Sequence, residues 1–552
     1  MDSPIRKGDV STAAVSELKY ATSGLIPLTK PQLVGTLTGL LLGMLLAALD
    51  QTIVGTAEPR IIAQLSGFDR YPWVATAYML TSTIALPIFA SLSDIFGRKP
   101  FFMLGAGTFV LTSALCGASG LLTFLPLDGM GQLILFRGLQ GIGAGMMMGL
   151  AFTIIGDIFS PTERGRYQGL FAAVWGLSSI FGPTLGGWLT DSVSWRACFW
   201  VNLPVGAIAV TAIWLEFPNM RPARAHRRLD WAGFATLAGC VVPLLLALTW
   251  VTRYGWSSSR VTSLLFLSAV MLAAFLYAEA HASEPLLPLT LFRNPIISIS
   301  AICVFVLGMG MFGVIIYLPL FMQGVLGVSP TQSGNLLTPL MMGSVTGSIA
   351  SGQLIARSGR YKGVAVTGSV LVALGMVWFA RMGADTTRLY IVCGMIIAGI
   401  GMGLLQPVYT VAVQNVAPRH QMGAATSSTV FFRSIGSTVG VAIFGTLMLT
   451  RYNQEFARTI PAGTPPAVLA YFANPLLLGE ARPHIDAAMR TVPNAAALTH
   501  TLFQNVRVAL SQGLQLIFFW SAVIMSAAVL LHVALKSEPL RTRTIEPDVP
   551  MH

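Results

Sequence analysis

Long apolar segments recur along almost the whole chain, and no other feature restricts its fold as much. A helix of about 20 mostly apolar residues is long enough to cross the hydrocarbon core of a bilayer. Only 10% of the residues are charged, whereas soluble domains carry about 25%. We therefore predict an all-α integral membrane protein with 14 transmembrane helices, at residues 33–57, 73–95, 101–123, 131–158, 166–190, 197–216, 232–252, 262–280, 296–323, 332–356, 362–382, 388–416, 421–449 and 508–535.

Basic residues cluster in every second connection between these predicted spans. Cytoplasmic loops of membrane proteins are enriched in Lys and Arg, so the pattern predicts that both termini are cytoplasmic and that the protein lies in the inner (plasma) membrane. The same bias accounts for the net charge of +12, which therefore gives no support to a nucleic-acid partner. The clustered residues include Arg98, Lys99, Arg164, Arg166, Arg221, Arg224, Arg227, Arg228, Arg357, Arg360 and Lys362.

The chain contains a weak internal repeat. The Gly-Arg pair at 97–98, after the second predicted span, corresponds to the pair at 359–360 after the tenth, and the glycine cluster 141–145 corresponds to 399–403. Internal repeats are typical of transporters whose substrate site lies between two helix bundles near the middle of the membrane. We therefore predict two six-helix bundles with an inserted two-helix hairpin between them.

The domain boundaries are placed by this repeat and by the predicted spans. The parts are a cytoplasmic N-terminal tail (1–32), an N-terminal bundle (33–218), a linker with two extra transmembrane helices (219–285), a C-terminal bundle (286–535) containing a long extracytoplasmic loop (451–504), and a cytoplasmic C-terminal tail (536–552).

Arg137 lies inside the fourth predicted span, where a charge costs at least about 2.5 kcal/mol and is kept only with a partner or a function. Asp50, in the first span, is the natural partner, because both residues lie roughly 10 Å from the same membrane boundary. Burial disfavours a carboxylate's charge while a nearby cation favours it, so such a group can exchange a proton. We expect Asp50 and Arg137 to couple transport to protons; a purely structural buried ion pair is the alternative.

Five motifs follow one another in the order found in a known family. They are LDQTIV at 49–54, Asp94 with GRK at 97–99, Arg137 with Gln140, Gly141 and Gly143, GPTLGG at 182–187, and Trp195-Arg196 followed by Asn202 and Pro204. On these residues the chain resembles the fourteen-helix drug:proton antiporter branch of the major facilitator superfamily, over residues 33–535. The second half lacks an equivalent of Arg137, since Met395 stands at the corresponding position.

The resemblance implies two gating elements. One is a latch at the inner face, and a plain cytoplasmic anchor is its alternative. The other is a kinked, closely packed contact between the bundles, because proline interrupts helix hydrogen bonding and small residues let backbones approach; ordinary glycine packing is its alternative. The latch residues are Asp94, Gly97, Arg98, Lys99 and Asp157, and the contact residues are Gly182, Pro183, Gly186 and Gly187.

Two further charged residues have more than one possible role. Arg433 lies in the thirteenth predicted span, and no acid occurs in spans nine to thirteen to pair with it. We place it with the proton-coupling residues, or as a binder of an anionic headgroup, against a structural role. Glu58, at the outer end of the first span, is expected to be an interfacial solvated carboxylate; an outer-gate or cation-attracting role in the substrate cavity is the alternative.

Other polar and aromatic residues in the spans are suited to a cavity for amphipathic molecules. Helix packing explains any one of them equally well. These candidates are Gln140, Trp175, Phe181, Tyr317, Phe321, Gln323, Gln406 and Tyr409.

We expect a monomeric exporter of hydrophobic or amphipathic small molecules that works by alternating access and exchanges its substrate for protons. Its partners are the small amphipathic substrate, protons and the lipid bilayer, with no cofactor and no metal. The glycine clusters do not form a nucleotide-binding loop, so the proton gradient is the expected energy source. Export of a lipid or another endogenous amphiphile is the close alternative, and a membrane enzyme or receptor is the distant one, against which the absence of a catalytic motif argues.

Overall fold

The computed structural model describes residues 28–159, 161–218, 230–282, 285, 287–418, 422–462, 464–472, 475, 478–489, 492 and 494–535, and these ranges are built from helices and their connections. The predicted C-terminal tail, almost all of the N-terminal tail and the basic segment 219–229 of the linker lie outside the described residues.

Seven helices form the first part of the chain and two more form the linker. The first part comprises α1 (Lys30–Gln64), α2 (Tyr71–Phe96), α3 (Arg98–Gly117), α4 (Gly129–Ile158), α5 (Pro161–Ser192), the short α6 (Ala197–Trp200) and α7 (Asn202–Glu216). The linker helices are α8 (Trp231–Tyr254) and α9 (Ser259–His281).

The second part of the chain contains eight helices within the described ranges. They are α10 (Pro295–Leu320), α11 (Pro330–Ser358), α12 (Lys362–Phe379), α13 (Arg388–Val416), α14 (Met422–Thr459), α15 (Pro466–Phe472), α16 (Leu478–Met489) and α17 (Ala495–Ala534). A single π-helical turn, Phe321–Val325, extends α10.

Each predicted span overlaps a helix. Among the described residues, 12 helical segments are long and apolar enough to cross a membrane, with α6 and α7 counted together. The two predicted spans that fall short lie in α5 and α11, whose sequences contain many glycine, serine and threonine residues. The protein therefore has about 12–14 apolar helices of membrane-spanning length.

The prediction that 451–504 is a loop was wrong. Helix α14 continues to Thr459, α15 and α16 occupy much of the segment, and α17 begins at Ala495. The reason is a local apolar cluster, in which the ring of Phe456 stacks on Tyr452 with centroids 6.0 Å apart and on Phe472 at 5.8 Å. The prolines that favoured a loop include Pro461 and Pro465, which precede α15, and Pro466, which is its first residue.

Polar side chains cap the first turns of two helices. Asp128 accepts a hydrogen bond from the backbone N–H of Gly131 at the start of α4, and Asn294 does the same for Ile296 in α10. These bonds satisfy N–H groups that have no partner inside the helix. Arg70 also donates hydrogen bonds to Asp128, and this contact lowers the pKa of the Asp128 carboxyl below its usual value.

Helices α3 and α4 pack in direct contact because glycines face each other across them. A Cβ placed on Gly105 would lie 2.7 Å from the Cβ of Met146 and 3.2 Å from the carbonyl oxygen of Gly143. Lipid tails are as apolar as the helix side chains, so the hydrophobic effect does little to hold helices together in a membrane. Close backbone packing therefore supplies much of the favourable energy. The glycine cluster of α4 therefore serves helix packing.

Helix α8 of the linker lies where α2 and α14 meet. Leu237 of α8 belongs to the same apolar cluster as Leu80 of α2 and Val439 of α14. The hydroxyl of Thr446 in α14 donates to the carbonyl oxygen of Leu248 in α8 at 2.7 Å. The linker hairpin is thus docked on helices from both parts of the chain.

Replacing Gly105 by valine should destabilise the protein by about 1–3 kcal/mol, since the added atoms must push α3 away from α4. Valine at Gly107, on the same helix, is the matched control, because a Cβ there meets nothing within 4 Å. Thermal unfolding of the purified protein in detergent measures the difference. Equal melting temperatures for the two variants would contradict the packing described for α3 and α4.

Candidate functional site

The structure brings Asp50 of α1 and Arg137 of α4 together in the interior of the first part of the chain. Nη1 of Arg137 donates to Oδ2 of Asp50 at 2.5 Å, and both side chains are buried. The Arg137 guanidinium also lies over the ring of Tyr78, 4.2 Å from its centroid, and its Nε donates to the carbonyl oxygen of Val74. Each charge therefore has specific partners despite its removal from water.

Three neutral side chains complete the surroundings of Asp50. Its Oδ1 accepts from Nε2 of Gln140 at 3.0 Å and from Nδ2 of Asn202 at 3.2 Å, and both amides also donate to the hydroxyl of Ser113. Oε1 of Gln140 accepts in turn from Arg137 at 2.7 Å. Gln140, a predicted cavity residue, is thus part of this buried polar network.

A narrow crevice between the two parts of the chain begins beside this network. Its polar lining is Gln51, Glu58, Tyr78 and Arg137, all from the first part. The apolar lining comes from both sides and consists of Val54, Gly55, Ala75, Met79, Phe312, Ile315 and Ile316. Arg137 therefore faces Asp50 on one side and the crevice on the other.

Glu58 is not the solvated carboxylate expected from its position near the end of the first span. Its exposure is 1%, and its Oε1 has no hydrogen-bond partner among the described residues. The expectation was wrong because α10 of the second part packs over this face of α1 and excludes water. Glu58 lines the crevice instead.

The Gly-Pro motif of α5 lies between α1 and α11. Toward α1, a Cβ at Gly182 would lie 2.7 Å from the Cβ of Thr52, and Gly186 faces Ile53 and Thr56 in the same way. Toward α11, a Cβ at Gly187 would lie 2.6 Å from the Cα of Thr331. The motif therefore joins α5 to a helix of its own part on one face and to a helix of the other part on the opposite face.

The same contact continues along α11. A Cβ at Gly334 would lie 3.1 Å from the Cα of Thr184 and would meet the backbone of Pro183 even more closely. Of the predicted gate residues, Pro183 and Gly187 thus lie at this contact, whereas Gly182 and Gly186 pack against α1 of their own part. The contact permits backbone-to-backbone approach across the two parts.

Further bonds between the two parts of the chain lie at the end of the molecule where α5 ends and α11 begins, here named the Asp191 end. Asp191 Oδ2 accepts from the backbone N–H of Thr331 at 2.8 Å and from its hydroxyl at 2.5 Å. Gln323, a predicted cavity residue, donates to the carbonyl oxygen of Thr56 at 2.9 Å. The Tyr71 hydroxyl donates to the carbonyl oxygen of Ile316 at 3.2 Å. The Asp191 end is closed.

The opposite end, here named the Arg98 end, holds the predicted latch residues. Gly97 turns α2 into α3 with φ of +103°, a backbone conformation that favours glycine. Nε of Arg98 donates to Asp157 at 2.8 Å, so the structure brings these two residues together. Lys99 donates to the carbonyl oxygen of Trp214 at 2.7 Å. Asp94 lies in the last turn of α2, and its side chain lies outside the described residues.

Arg433 pairs with a neutral amide in the structure. Its Nη1 donates to Oε1 of Gln406, a predicted cavity residue, at 2.8 Å. Tyr409, another cavity candidate, is buried, and its hydroxyl lies 3.0 Å from Nε2 of His532 on α17. Tyr409 therefore serves helix packing in this arrangement.

The remaining cavity candidates fall into two groups. Tyr317 and Phe321 are fully buried, and the Tyr317 hydroxyl donates to the carbonyl oxygen of Val441 at 2.7 Å. Trp175 is partly exposed and Phe181 is 61% exposed. Only the second group presents a surface to a ligand or to lipid in this arrangement.

Three residues of the site were not singled out from the sequence. Gln51 lies seven residues before Glu58 on the same face of α1, and this helical spacing could have indicated that it belongs to the site. Tyr78 and Ser113 carry no such signal, because single polar residues in apolar helices are common. Within the described ranges, no three His, Cys, Asp or Glu side chains meet in a group that could hold a metal ion.

Known proteins resemble the chain over most of its length. Residues 40–441 match the family model described as Major Facilitator Superfamily. The chain belongs to this superfamily. The superfamily expected from the sequence motifs is thereby confirmed, and it is a superfamily of transporters rather than enzymes.

Two relatives and one solved structure show how similar this superfamily member is to known proteins. It is 36% identical to the multidrug transporter protein MdtP of Bacillus subtilis (strain 168) over 522 residues, 92% of this chain and 94% of that protein. It is 38% identical to multidrug resistance protein 3 of the same organism, over 76% of this chain and 80% of that protein. An inward-facing, unoccupied bacterial homologue of the human lysosomal transporter Spinster has the same fold, with a TM-score of 0.60 and 16% identity, covering 93% of this chain and 100% of that one.

Alanine at Gly187 should force the two parts of the chain apart at the Asp191 end, because its Cβ would fall on the backbone of α11. Overpacking of this kind costs about 1–3 kcal/mol, enough to shift a two-state equilibrium about 5- to 150-fold. Spin labels on cysteines at the exposed positions Val193 and Leu389, one in each part, report the separation. Cys393→Ser removes the one partly exposed native cysteine.

Gly176→Ala is the matched control for that experiment. It lies on the same helix, and its Cβ would make an ordinary contact of 3.6 Å with Val345 of α11. We expect the label distance of Gly176→Ala to equal that of the parent. A Gly187→Ala distance equal to both would show that this contact does not hold the Asp191 end closed.

Proposed function

We propose that this protein exports hydrophobic or amphipathic small molecules by alternating access and exchanges them for protons. The observation that carries the proposal is the buried Asp50–Arg137 pair, which lies within helices of membrane-spanning length and borders a crevice between the two parts of the chain. Ionisable residues in such a place generally belong to a transport or proton pathway. The relatives named as multidrug transporters support the same class of substrate.

Asp50 is the residue we assign to proton exchange. Every observed hydrogen bond to its carboxylate, from Arg137, Gln140 and Asn202, favours the charged form. A proton on Asp50 would remove the charge that compensates Arg137, and an unpaired buried cation is costly. Protonation therefore favours a rearrangement that gives Arg137 water or another partner, and the crevice beside it is the available route.

The assignment of sides follows from the charge pattern. We infer that the Arg98 end, with its basic residues, faces the cytoplasm and that both termini lie on that side. The bacterial relatives favour the plasma membrane as the location. With this orientation the closed Asp191 end is the external one, and the structure corresponds to a state closed to the outside.

The architecture we propose has fourteen transmembrane helices in two bundles, residues 33–218 and 286–535, with α8 and α9 as an inserted hairpin. Contacts within each part of the chain support this division. The hydrogen bonds at the Asp191 end connect the two bundles. Rocking of one bundle on the other would break those bonds and expose the crevice to the outside. Arg98, Lys99 and Asp157 would stabilise the Arg98 end in that second state.

The substrate is proposed to be a small amphipathic molecule bound by a monomer that needs no cofactor. Partly exposed aromatic and polar side chains on both bundles, Trp175, Gln406 and Arg433, supply the surface, and Arg433 suits a polar or anionic group of the ligand. A lipid or another endogenous amphiphile is the alternative substrate. Competition between dye efflux and a phospholipid or lysophospholipid in the same vesicles distinguishes the two.

Asp50→Asn should abolish efflux driven by a pH gradient, because asparagine keeps the shape of the carboxylate but does not take up or release a proton near neutral pH. The measurement is efflux of a fluorescent amphipathic dye in proteoliposomes with an imposed pH gradient. We expect a loss of at least tenfold in the rate, while the variant still inserts and stays monodisperse.

Asp385→Asn serves as the control for this variant, since it removes a carboxylate from an exposed loop position. Its rate should match that of the parent. Gradient-driven efflux by Asp50→Asn at the parent rate would rule out proton coupling through this residue. Efflux by the parent protein without any dependence on the pH gradient would rule out antiport altogether.

A further inference from the structure

Glu58 is a buried acid that the proposed exchange at Asp50 leaves without a role. It lies on the face of α1 that lines the crevice, seven residues after Gln51, whereas Asp50 faces the interior of its own part. Asp50 accepts three side-chain hydrogen bonds, but Oε1 of Glu58 accepts none from the described residues. The two acids of α1 therefore have opposite surroundings.

The hydroxyl groups of Tyr71 and Tyr317, which interact electrostatically with Glu58, donate their hydrogen bonds to other groups. The rings of Tyr71 and Tyr317 stack across the two parts of the chain with centroids 5.8 Å apart. Each hydroxyl has a single proton, and both protons are committed to backbone carbonyl oxygens, those of Ile316 and Val441. The ring stack and the Tyr71–Ile316 bond join the two parts of the chain at the Asp191 end, whereas the Tyr317–Val441 bond lies within the second part.

Charged groups on the neighbouring helices are also committed elsewhere. Arg137 of α4 attracts Glu58 electrostatically, but the hydrogen bonds that its Nη1 and Nε donate go to Asp50, Gln140 and the carbonyl oxygen of Val74. Helix α2 contributes the phenols of Tyr71 and Tyr78, and α10 contributes that of Tyr317.

The remaining neighbours of α1 present uncharged groups near Glu58. Helix α5 faces this stretch with Gly186 against Thr56, and the π-helical turn brings the amide of Gln323 to the carbonyl oxygen of Thr56. Helix α7 brings Glu216 to Gly35, at the opposite end of α1. Among the described groups, Arg137 is thus the one cation that acts on Glu58.

A carboxylate that is 1% exposed, and whose Oε1 has no hydrogen-bond partner among the described residues, is disfavoured in its charged form. The closed arrangement is therefore compatible with Glu58 as a neutral acid. When the two parts separate at the Asp191 end, the contacts of Tyr71 with Tyr317 and Ile316 break, water reaches the carboxyl group, and the charged form becomes acceptable. Closure and proton uptake are then linked, because each favours the other.

We propose that Glu58 is a second proton site, and that the two parts of the chain close at the Asp191 end when Glu58 has taken a proton from the water on that side. An O–H bond forms on the carboxylate, the proton comes from the aqueous phase, and no other group is changed. The inference rests on the proposed antiport for its physiological use. With the Asp191 end outside, each closure carries one proton inward, which is the direction that antiport requires.

The test measures closure directly and uses neither substrate nor gradient. Spin labels at Val193 and Leu389, in the Cys393→Ser background and in lipid nanodiscs, give the fractions of closed and open protein between about pH 5 and about pH 9. For one linked proton, the ratio of closed to open protein falls by up to about tenfold for each unit of rising pH in the linked range. Glu58→Gln, an uncharged mimic of the protonated acid, should remain closed across the whole range.

Three variants make the outcome specific. Asp69→Asn removes a 77% exposed carboxylate near the same end and should titrate like the parent. Asp50→Asn should also keep the pH dependence of closure, although it loses exchange. Glu58→Leu, which is uncharged and suits the apolar lining, should stay closed like Glu58→Gln and serves if the glutamine variant does not fold.

The proposal is overturned if the parent shows no change with pH, or if the Glu58 variants titrate like the parent. It is also overturned if Asp50→Asn abolishes the pH dependence while Glu58→Gln keeps it, since the linked proton would then be on Asp50. The distance measurement needs no transport, so it can be interpreted even if the proposed export fails. The export assay can likewise be interpreted if closure does not depend on Glu58.

Discussion

One buried ion pair sets the requirements that the rest of the first part of the chain must meet. Arg137 and Asp50 are both removed from water, and the loss of either would leave the other as an uncompensated charge. Gln140, Asn202 and Ser113 are arranged so that their hydrogen bonds serve this pair. A buried pair is often no more stable than apolar residues of the same size, so its presence supports the proposed role in proton exchange.

Helix α1 connects this pair to the contact between the two parts of the chain. Asp50 faces inward, Thr52 packs against Gly182 of α5 two residues later, and Glu58 lines the crevice between the parts. The hydroxyl of Thr52 also donates to the carbonyl oxygen of Ser178 at 3.0 Å. A shift of α1 that follows a change of charge at Asp50 would therefore reach both the glycine contact and Glu58.

The sequence was sufficient to predict most of the fold and the centre of the site. Apolar segments of membrane length located the helices, and the cost of an intramembrane charge led from Arg137 to Asp50. The prediction failed at 451–504, because prolines near helix starts resemble those of loops. It failed at Glu58 as well, since burial there depends on α10, which is distant in sequence. Contacts such as Asp191 with Thr331 depend on how the two parts meet, which no local pattern encodes.

Proton release that is caused by substrate binding tests the central claim, that Asp50 carries the proton exchanged for substrate. The purified protein in weakly buffered detergent solution receives an amphipathic dye, and a pH indicator follows the protons set free. We predict release from the parent and from Glu58→Gln, and no release from Asp50→Asn at a dye concentration that still saturates binding. Equal release from Asp50→Asn and the parent would contradict the account.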